Sequence, residues 1–137
     1  MTPPATSTAA PATVAQNHGL ALALLGRFAE AEARFSKTLH EAVATHRSTE
    51  MALYGFEGLA LVAGSGAEDL RAAQLWGVSA AIREATGYVL ATAEQRFHDE
   101  LAPEVRRRLG EAGFDRAWNI GRQLSFEQAA ALALRRS

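Results

Sequence analysis

Residues 19–35, GLALALLGRFAEAEARF, carry the pattern from which the fold of this chain is predicted. Gly26 interrupts a first helical stretch that begins near Ala12, and beyond it apolar residues recur at steps of three and four as far as Ala42. This spacing predicts two helices joined by a glycine turn, the second running from Arg27 to about Thr45. Small and large residues also alternate as two closely crossing helices require, at Gly19, Leu22, Gly26, Phe28, Ala31 and Phe35.

The rest of the sequence is equally helical. Ser48 and Thr49 are plausible caps for a third helix that ends at Gly64-Ser65-Gly66, and a fourth follows over about 67–86 with Gly87 as its stop. Capping boxes at Thr92–Gln95 and Ser125–Gln128 begin two later helices, and Pro103 predicts a kink or restart near Ala102. We therefore expect an all-α chain of about seven helices, in which a Pro/Thr/Ala tail (1–11) precedes one domain (12–137).

Composition agrees with this expectation and excludes several classes of protein. The chain has 137 residues, of which 30 are alanine, the residue with the highest helix propensity. A net charge of −1 argues against a globally basic nucleic-acid binder, and the absence of cysteine excludes disulfides, thiol catalysis and thiolate metal sites. No secretory signal or membrane segment is evident, so we expect a cytoplasmic protein.

The residue sizes in the first hairpin resemble those of a tetratricopeptide repeat (TPR), a helix-turn-helix unit of about 34 residues. On this pattern residues 12–46 form one repeat-like unit and 48–87 a degenerate second one, so that helices within 92–136 would cap the stack. The segments LWGVSAAIREATG (75–87) and LGEAGFDRAWNIGRQLSFEQAAALAL (109–134) resemble the C-terminal regions of large bacterial LuxR/MalT-like and SARP-type transcription regulators and of related ATPase–TPR signalling proteins.

That resemblance implies a non-catalytic regulatory module that binds protein. The DNA-binding and nucleotide-binding modules of those regulators lie elsewhere in their chains, so neither activity carries over. In TPR proteins the first helix of each unit lines a groove, which here would bind a partner helix or a second copy of the chain. The groove residues would be Gln16, Asn17, Leu20, Phe56, Leu59 and Val62. Whether the capping helices fill this groove stays open.

Two other functions compete with this one. A small-molecule effector could bind between the last repeat and the capping helices, near Trp76, Tyr88 and Trp118. Alternatively, the basic run Arg106-Arg107-Arg108 could contact nucleic-acid phosphates, although Glu104, Glu111 and Asp115 interleave with it and favour a solvated helix face.

Catalytic, metal and cofactor sites find little support in the sequence. Gly64-Ser65-Gly66 lacks the Lys-Ser/Thr and the preceding strand of a phosphate loop. The histidines lack the spacing of a zinc site, since His40 and His46 are six residues apart. No carboxylate pair or serine has a catalytic context. We expect no enzyme, no metal and no cofactor.

Overall fold

The computed structural model describes residues 17–45 and 49–135. Within these residues there are seven helices and no strand, which confirms the prediction of an all-α fold. The helices are α1 (residues 17–24), α2 (Phe28–Thr45), α3 (Thr49–Ser65), α4 (Asp69–Thr86), α5 (Thr92–Leu109), α6 (Glu111–Gln123) and α7 (Phe126–Leu134). The predicted tail, residues 12–16, His46 and the Ser48 cap lie outside the described residues.

The first two helices form the expected hairpin. Gly26 adopts a φ of +77°, and the Arg27 amide donates to the Leu22 carbonyl across the turn at 2.9 Å. The Phe35 ring of α2 then packs against Gly19 of α1 and Gly58 of α3. One aromatic ring therefore fixes the positions of three helices, because a side chain larger than hydrogen at either glycine would overlap it.

Helix α3 is the centre of the molecule. Every residue from Ala52 to Gly64 except Tyr54 is buried, because α2, α4 and α5 surround the helix and Phe126 of α7 touches it as well. Its sequence accordingly shows little division into an apolar and a polar side, as is usual for a helix covered all round. Its neighbours supply the other large core side chains, among them Phe35, Leu39, Leu75 and Trp76.

The C-terminal helices are attached in two ways. Helix α6 lies directly along α4, where Gly77 faces the Trp118 carbonyl and Gly121 faces the Gln74 carbonyl, so that the two backbones nearly touch. Helix α5 instead lies across α3 and α4, with Leu101 and Val105 over Gly64. Helix α5, which follows α4 in the chain, therefore covers α3 and α4. Helix α6, the next helix in the chain, packs most closely against α4.

Details at the helix ends differ from the sequence predictions at two points. The cap of α5 is Ala91 and not Thr92, because the Glu94 carboxyl reaches back to accept from the Ala91 amide at 3.2 Å. Helix α5 also continues through Pro103 without a restart, since the carbonyl that loses its partner belongs to exposed Asp99, where water can replace the bond. The box at Ser125 and Gln128 is confirmed, with bonds of 3.1 and 2.9 Å.

Candidate functional site

The residues predicted to line a groove are mostly in the core, so of the two alternatives that the sequence left open, an open groove is excluded and the chain's own helices fill it. Leu20 and Val62 are each 6% exposed, and Phe56 and Leu59 are fully buried. Phe56 packs edge-on against Phe126 at a centroid distance of 6.2 Å. The reason is that α2, α4 and α5 surround α3 and Phe126 of α7 contacts Phe56, so these side chains pack within the chain itself. Asn17 is exposed, and Gln16 lies outside the described residues.

A narrow cavity remains where α5 covers α1, α3 and α4. Its volume is about 10 Å³, close to that of one water molecule. Its lining combines apolar side chains with two carboxyl groups and an imidazole: Leu20, Glu57, Gly58, Leu61, Trp76, Glu94, Phe97 and His98. The space is too small for a metabolite, since ligand pockets usually measure about 300–1,000 Å³.

Glu57 is the most unusual residue in this cavity, because it is 5% exposed in the middle of the apolar helix α3. Its carboxyl group accepts a hydrogen bond from the Ser79 hydroxyl of α4. His98 of α5 places Nδ1 3.5 Å from the other Glu57 oxygen, and its ring lies 5.0 Å from that of Trp76. Arg83 Nε approaches Ser79 Oγ at 3.4 Å. In this cluster, Glu57–Ser79–His98, a hydrogen bond joins α3 to α4, and the imidazole of His98 on α5 lies beside the carboxyl group with its buried Nδ1 making no hydrogen bond within the described residues.

Sequence reasoning missed this cluster, although one signal was present. A lone glutamate within MALYGFEGLALVAG is a charged residue in an apolar run, and such a residue is seldom buried without partners. The partners could not be identified from the sequence, because Ser79 and His98 lie on two other helices.

The three aromatic residues of the predicted effector pocket are not brought together around a cavity. Trp76 is 1% exposed and lines the narrow cavity, whereas neither Tyr88 nor Trp118 does. Tyr88 is 39% exposed in the segment between α4 and α5. Trp118 packs its backbone on Gly77 and has the Arg122 guanidinium 5.0 Å from its ring. The Trp76 indole is a core side chain that also faces Phe114 at 6.3 Å.

The arginine run of α5 is engaged with acidic groups of the chain. Arg106 contacts Glu111 at 2.9 Å and Asp115 at 3.2 Å, and its guanidinium lies 4.1 Å from the centre of the Phe114 ring.

Arg107 binds Glu104 at 2.7 Å, and this hydrogen bond holds the pKa of the Glu104 carboxyl below its ordinary value. Arg108 binds both Asp69 at 2.8 Å and the Gly64 carbonyl at 2.9 Å. The run therefore ties α5 to α4, α6 and the end of α3, and phosphates would have to compete with these bonds.

Gly64-Ser65-Gly66 forms the end of α3 and the turn after it. The three residues offer no amide cradle, since Gly64 lies under Leu101 within the helix. No group of three or more acidic or histidine side chains in the described ranges is arranged to hold a metal ion. No helix within these ranges is long and apolar enough to cross a membrane.

Three exposed apolar side chains lie where α1 turns into α2. Leu24, Leu25 and Phe28, which we call the α1–α2 corner, are 71%, 70% and 37% exposed. On one side of the corner a cleft of about 260 Å³ opens between α1, α3 and α5, lined by Ala23, Leu24, Phe28, Leu61, Ser65, Phe97, Glu100 and Leu101.

A second cleft lies along the other side of α1. It has a volume of about 300 Å³ and is lined by residues of α1 and α2: His18, Leu22, Glu30, Ala33, Arg34 and Lys37. We call it the cationic cleft, for the two side chains Arg34 and Lys37. Comparison with known proteins adds nothing to this geometry: no protein-family model, no curated protein and no solved structure matches the chain.

Proposed function

We propose that this chain is a non-catalytic, TPR-like interaction module that docks an amphipathic helix of a partner protein at the α1–α2 corner. The resemblance of residues 75–87 and 109–134 to bacterial transcription regulators suggests the setting, in which occupancy of the corner regulates a larger assembly. The corner replaces the groove of α1 and α3 as the proposed docking site, because the chain's own helices occupy that groove.

The observation that carries this proposal is the exposure of two adjacent leucines beside an open apolar cleft. Single exposed leucines are common on protein surfaces, but a contiguous apolar patch next to a concavity is typical of binding sites. Leu24 and Phe28 form one wall of the cleft, and Phe97 and Leu101 of α5 form the other. A helix that presents leucines at i, i+3, i+4 and i+7 can insert one of them between these walls.

The non-catalytic part of the proposal is supported by the surroundings of the polar groups. The buried Glu57–Ser79–His98 cluster borders a volume of only about 10 Å³, in which no substrate of ordinary size fits. The basic run of α5 is paired with Glu104, Asp69, Glu111 and Asp115. Effector binding near Trp76 and phosphate binding at Arg106–Arg108 are both less compatible with these contacts than protein docking at the corner.

A labelled synthetic peptide tests the proposal. The probe is an Ala-rich amphipathic helix of about 16 residues with a leucine stripe and uncharged glutamines on its flanks, and its binding is followed by fluorescence anisotropy. We expect saturable binding that weakens about tenfold or more in Leu24→Gln/Leu25→Gln, because burial of each leucine is lost. Ile120→Gln is the matched control, since Ile120 is an apolar side chain of α6 that is 50% exposed.

The variants should remain folded, because the replaced side chains are largely outside the core; far-UV circular dichroism checks this. Binding that is equally strong in the double-leucine variant and in the Ile120→Gln control would contradict docking at the corner.

A further inference from the structure

The cationic cleft contains two basic side chains that form no ion pair within the described residues. Most arginines that the structure describes contact a carboxylate within 4.0 Å: Arg27, Arg71, Arg96, Arg106, Arg107, Arg108, Arg122 and Arg135. Arg34 and Lys37 form no such pair within the described part of the chain. They are three residues apart on α2 and line the same concavity.

Glu30, the acidic residue that lines the cleft, is paired with Arg27: both of its oxygens accept hydrogen bonds of 2.6 Å from that side chain. Glu41 follows Lys37 by four residues, and the two form no ion pair within 4.0 Å. The cleft therefore offers two cations whose charge is not compensated by an ion pair, and an acidic ligand would supply the missing contacts.

Two apolar side chains also line the cleft, Leu22, which is 7% exposed, and Ala33. Leu25 of the corner follows Leu22 by three residues, in the turn after α1, where its amide still donates to the Ala21 carbonyl at 3.1 Å. A ligand that fits must therefore combine apolar side chains with carboxylates. An amphipathic helix with acidic flanks has this composition, and residues three or four apart on it are about 5–6 Å apart, like Arg34 and Lys37 themselves.

We infer that the partner helix is acidic: its apolar stripe covers Leu24 and Leu25 of the corner, and carboxylates three or four residues apart on its flank pair with Arg34 and Lys37. This inference rests on the proposed function, since it names the chemistry of the partner that docks at the α1–α2 corner. Nucleic acid fits the cleft less well, because binding to a phosphate backbone uses a larger set of cations and does not bury the leucines beside the cleft.

Three peptides that differ only in their flanks test the inference. They share the leucine stripe of the glutamine probe and carry Glu, Gln or Lys at the flanking positions. At about 50 mM salt we expect the Glu peptide to bind at least about tenfold more tightly than the Lys peptide, with the Gln peptide between them. The difference should shrink at about 500 mM salt, because the contacts lie at the solvent-exposed rim.

Charge reversal provides the decisive control. In Arg34→Glu/Lys37→Glu the order of the peptides should invert, so that the Lys peptide binds most tightly; this gain of binding cannot come from loss of folding. Arg116→Glu reverses an exposed arginine of α6 that likewise has no ion pair within the described residues, and it should leave the order unchanged.

The outcomes separate the inference from the proposed function. Equal affinity of all three peptides, with continued dependence on Leu24 and Leu25, overturns the acidic partner and leaves docking at the corner standing. Absence of binding by every peptide overturns both. Displacement of the Glu peptide by a mixed-sequence DNA duplex at lower concentration than by unlabelled Glu peptide overturns the assignment to a protein partner.

Discussion

The ring of Phe35 lies against the backbone of Gly58, so closely that a Cβ on Gly58 would be 2.3 Å from the ring carbons Cγ and Cδ1. The same ring is equally close to Gly19, where a Cβ would be 2.4 Å from Cε1. Phe35 is fully buried between the two glycines, and this contact sets the distances from α2 to α1 and to α3. It also accounts for the small residues that the sequence places at these two positions.

This contact predicts opposite effects of the same substitution at two helical glycines. Gly58→Ala should lower the free energy of unfolding by about 1–3 kcal/mol, because Phe35 or the backbone of α3 must move. Gly113→Ala in α6 should raise it by about 0.5–1 kcal/mol, since its Cβ would meet only Leu109 Cβ, at 3.7 Å, and alanine is the better helix former. Urea denaturation followed by circular dichroism measures both. A stabilising Gly58→Ala would contradict the close approach.

The buried polar cluster predicts strong coupling between Glu57 and Ser79. Ser79→Ala should cost about 1–3 kcal/mol, because a carboxyl group with 5% exposure loses its hydrogen-bond donor. In Glu57→Leu/Ser79→Ala both partners are replaced, so the double variant should be more stable than the sum of the single effects predicts, by about 1 kcal/mol or more.

The control for this double-mutant cycle replaces Ser65 in place of Ser79. Ser65 is an exposed serine at the end of α3, the helix that carries Glu57. Glu57→Leu/Ser65→Ala should be additive within about 0.5 kcal/mol. Additivity in the Ser79 cycle as well would mean that the hydrogen bond between α3 and α4 does not contribute to stability.

The environment of Tyr54 predicts that the stability of the folded chain decreases at alkaline pH. Burial raises its pKa to about 12, helped by the nearby Glu50 carboxylate, which also accepts the phenol hydrogen bond at 3.2 Å. Since the pKa in the unfolded chain is about 10, the folded state holds this proton more tightly. The stabilisation is therefore fully present below pH 10 and is lost as the pH rises through 12.

Absorbance at about 295 nm reports phenol ionisation, and Tyr88→Phe leaves Tyr54 as the sole tyrosine. We expect a midpoint near 12 while circular dichroism remains that of the folded protein. Tyr54→Phe should lose less stability between pH 10 and 12 than the unmodified chain. A midpoint near 10 in the folded Tyr88→Phe protein would show that the environment of Tyr54 does not protect its proton.

The helical elements could be predicted closely because their signals are local. Gly26 and Gly87 end helices where the sequence indicates, with φ of +77° and +79°, and Ser125 caps α7 as its capping box predicts. The cap of α5 was misplaced by one residue, since a reciprocal bond needs only the Glu94 carboxyl and the backbone amide three residues before it, whatever side chain the cap carries.

The predicted site was less successful because exposure is not a local property. Phe56 and Leu59 have the same place in the helical pattern whether or not anything covers α3, and only the packing of the other helices around α3 decides that they are buried. The same holds for Trp76, Tyr88 and Trp118, which are separated by the way α5 and α6 pack on α4. The corner leucines were visible as apolar residues before Gly26, but Leu25 follows buried Leu22 by three residues on the same side of the helical pattern, so spacing alone does not distinguish the exposed leucine from the buried one.

Propensity, capping and residue size act between neighbours in the chain, and they are sufficient to predict the all-α class, the helix boundaries to within a few residues and the hairpin built on Gly19, Gly26 and Phe35. Three features follow instead from the packing of the helices: α6 lies along α4, α5 covers the groove, and Glu57 meets Ser79 and His98. Those outcomes depend on contacts between residues far apart in sequence, and such contacts also decide which apolar surface stays open to a partner.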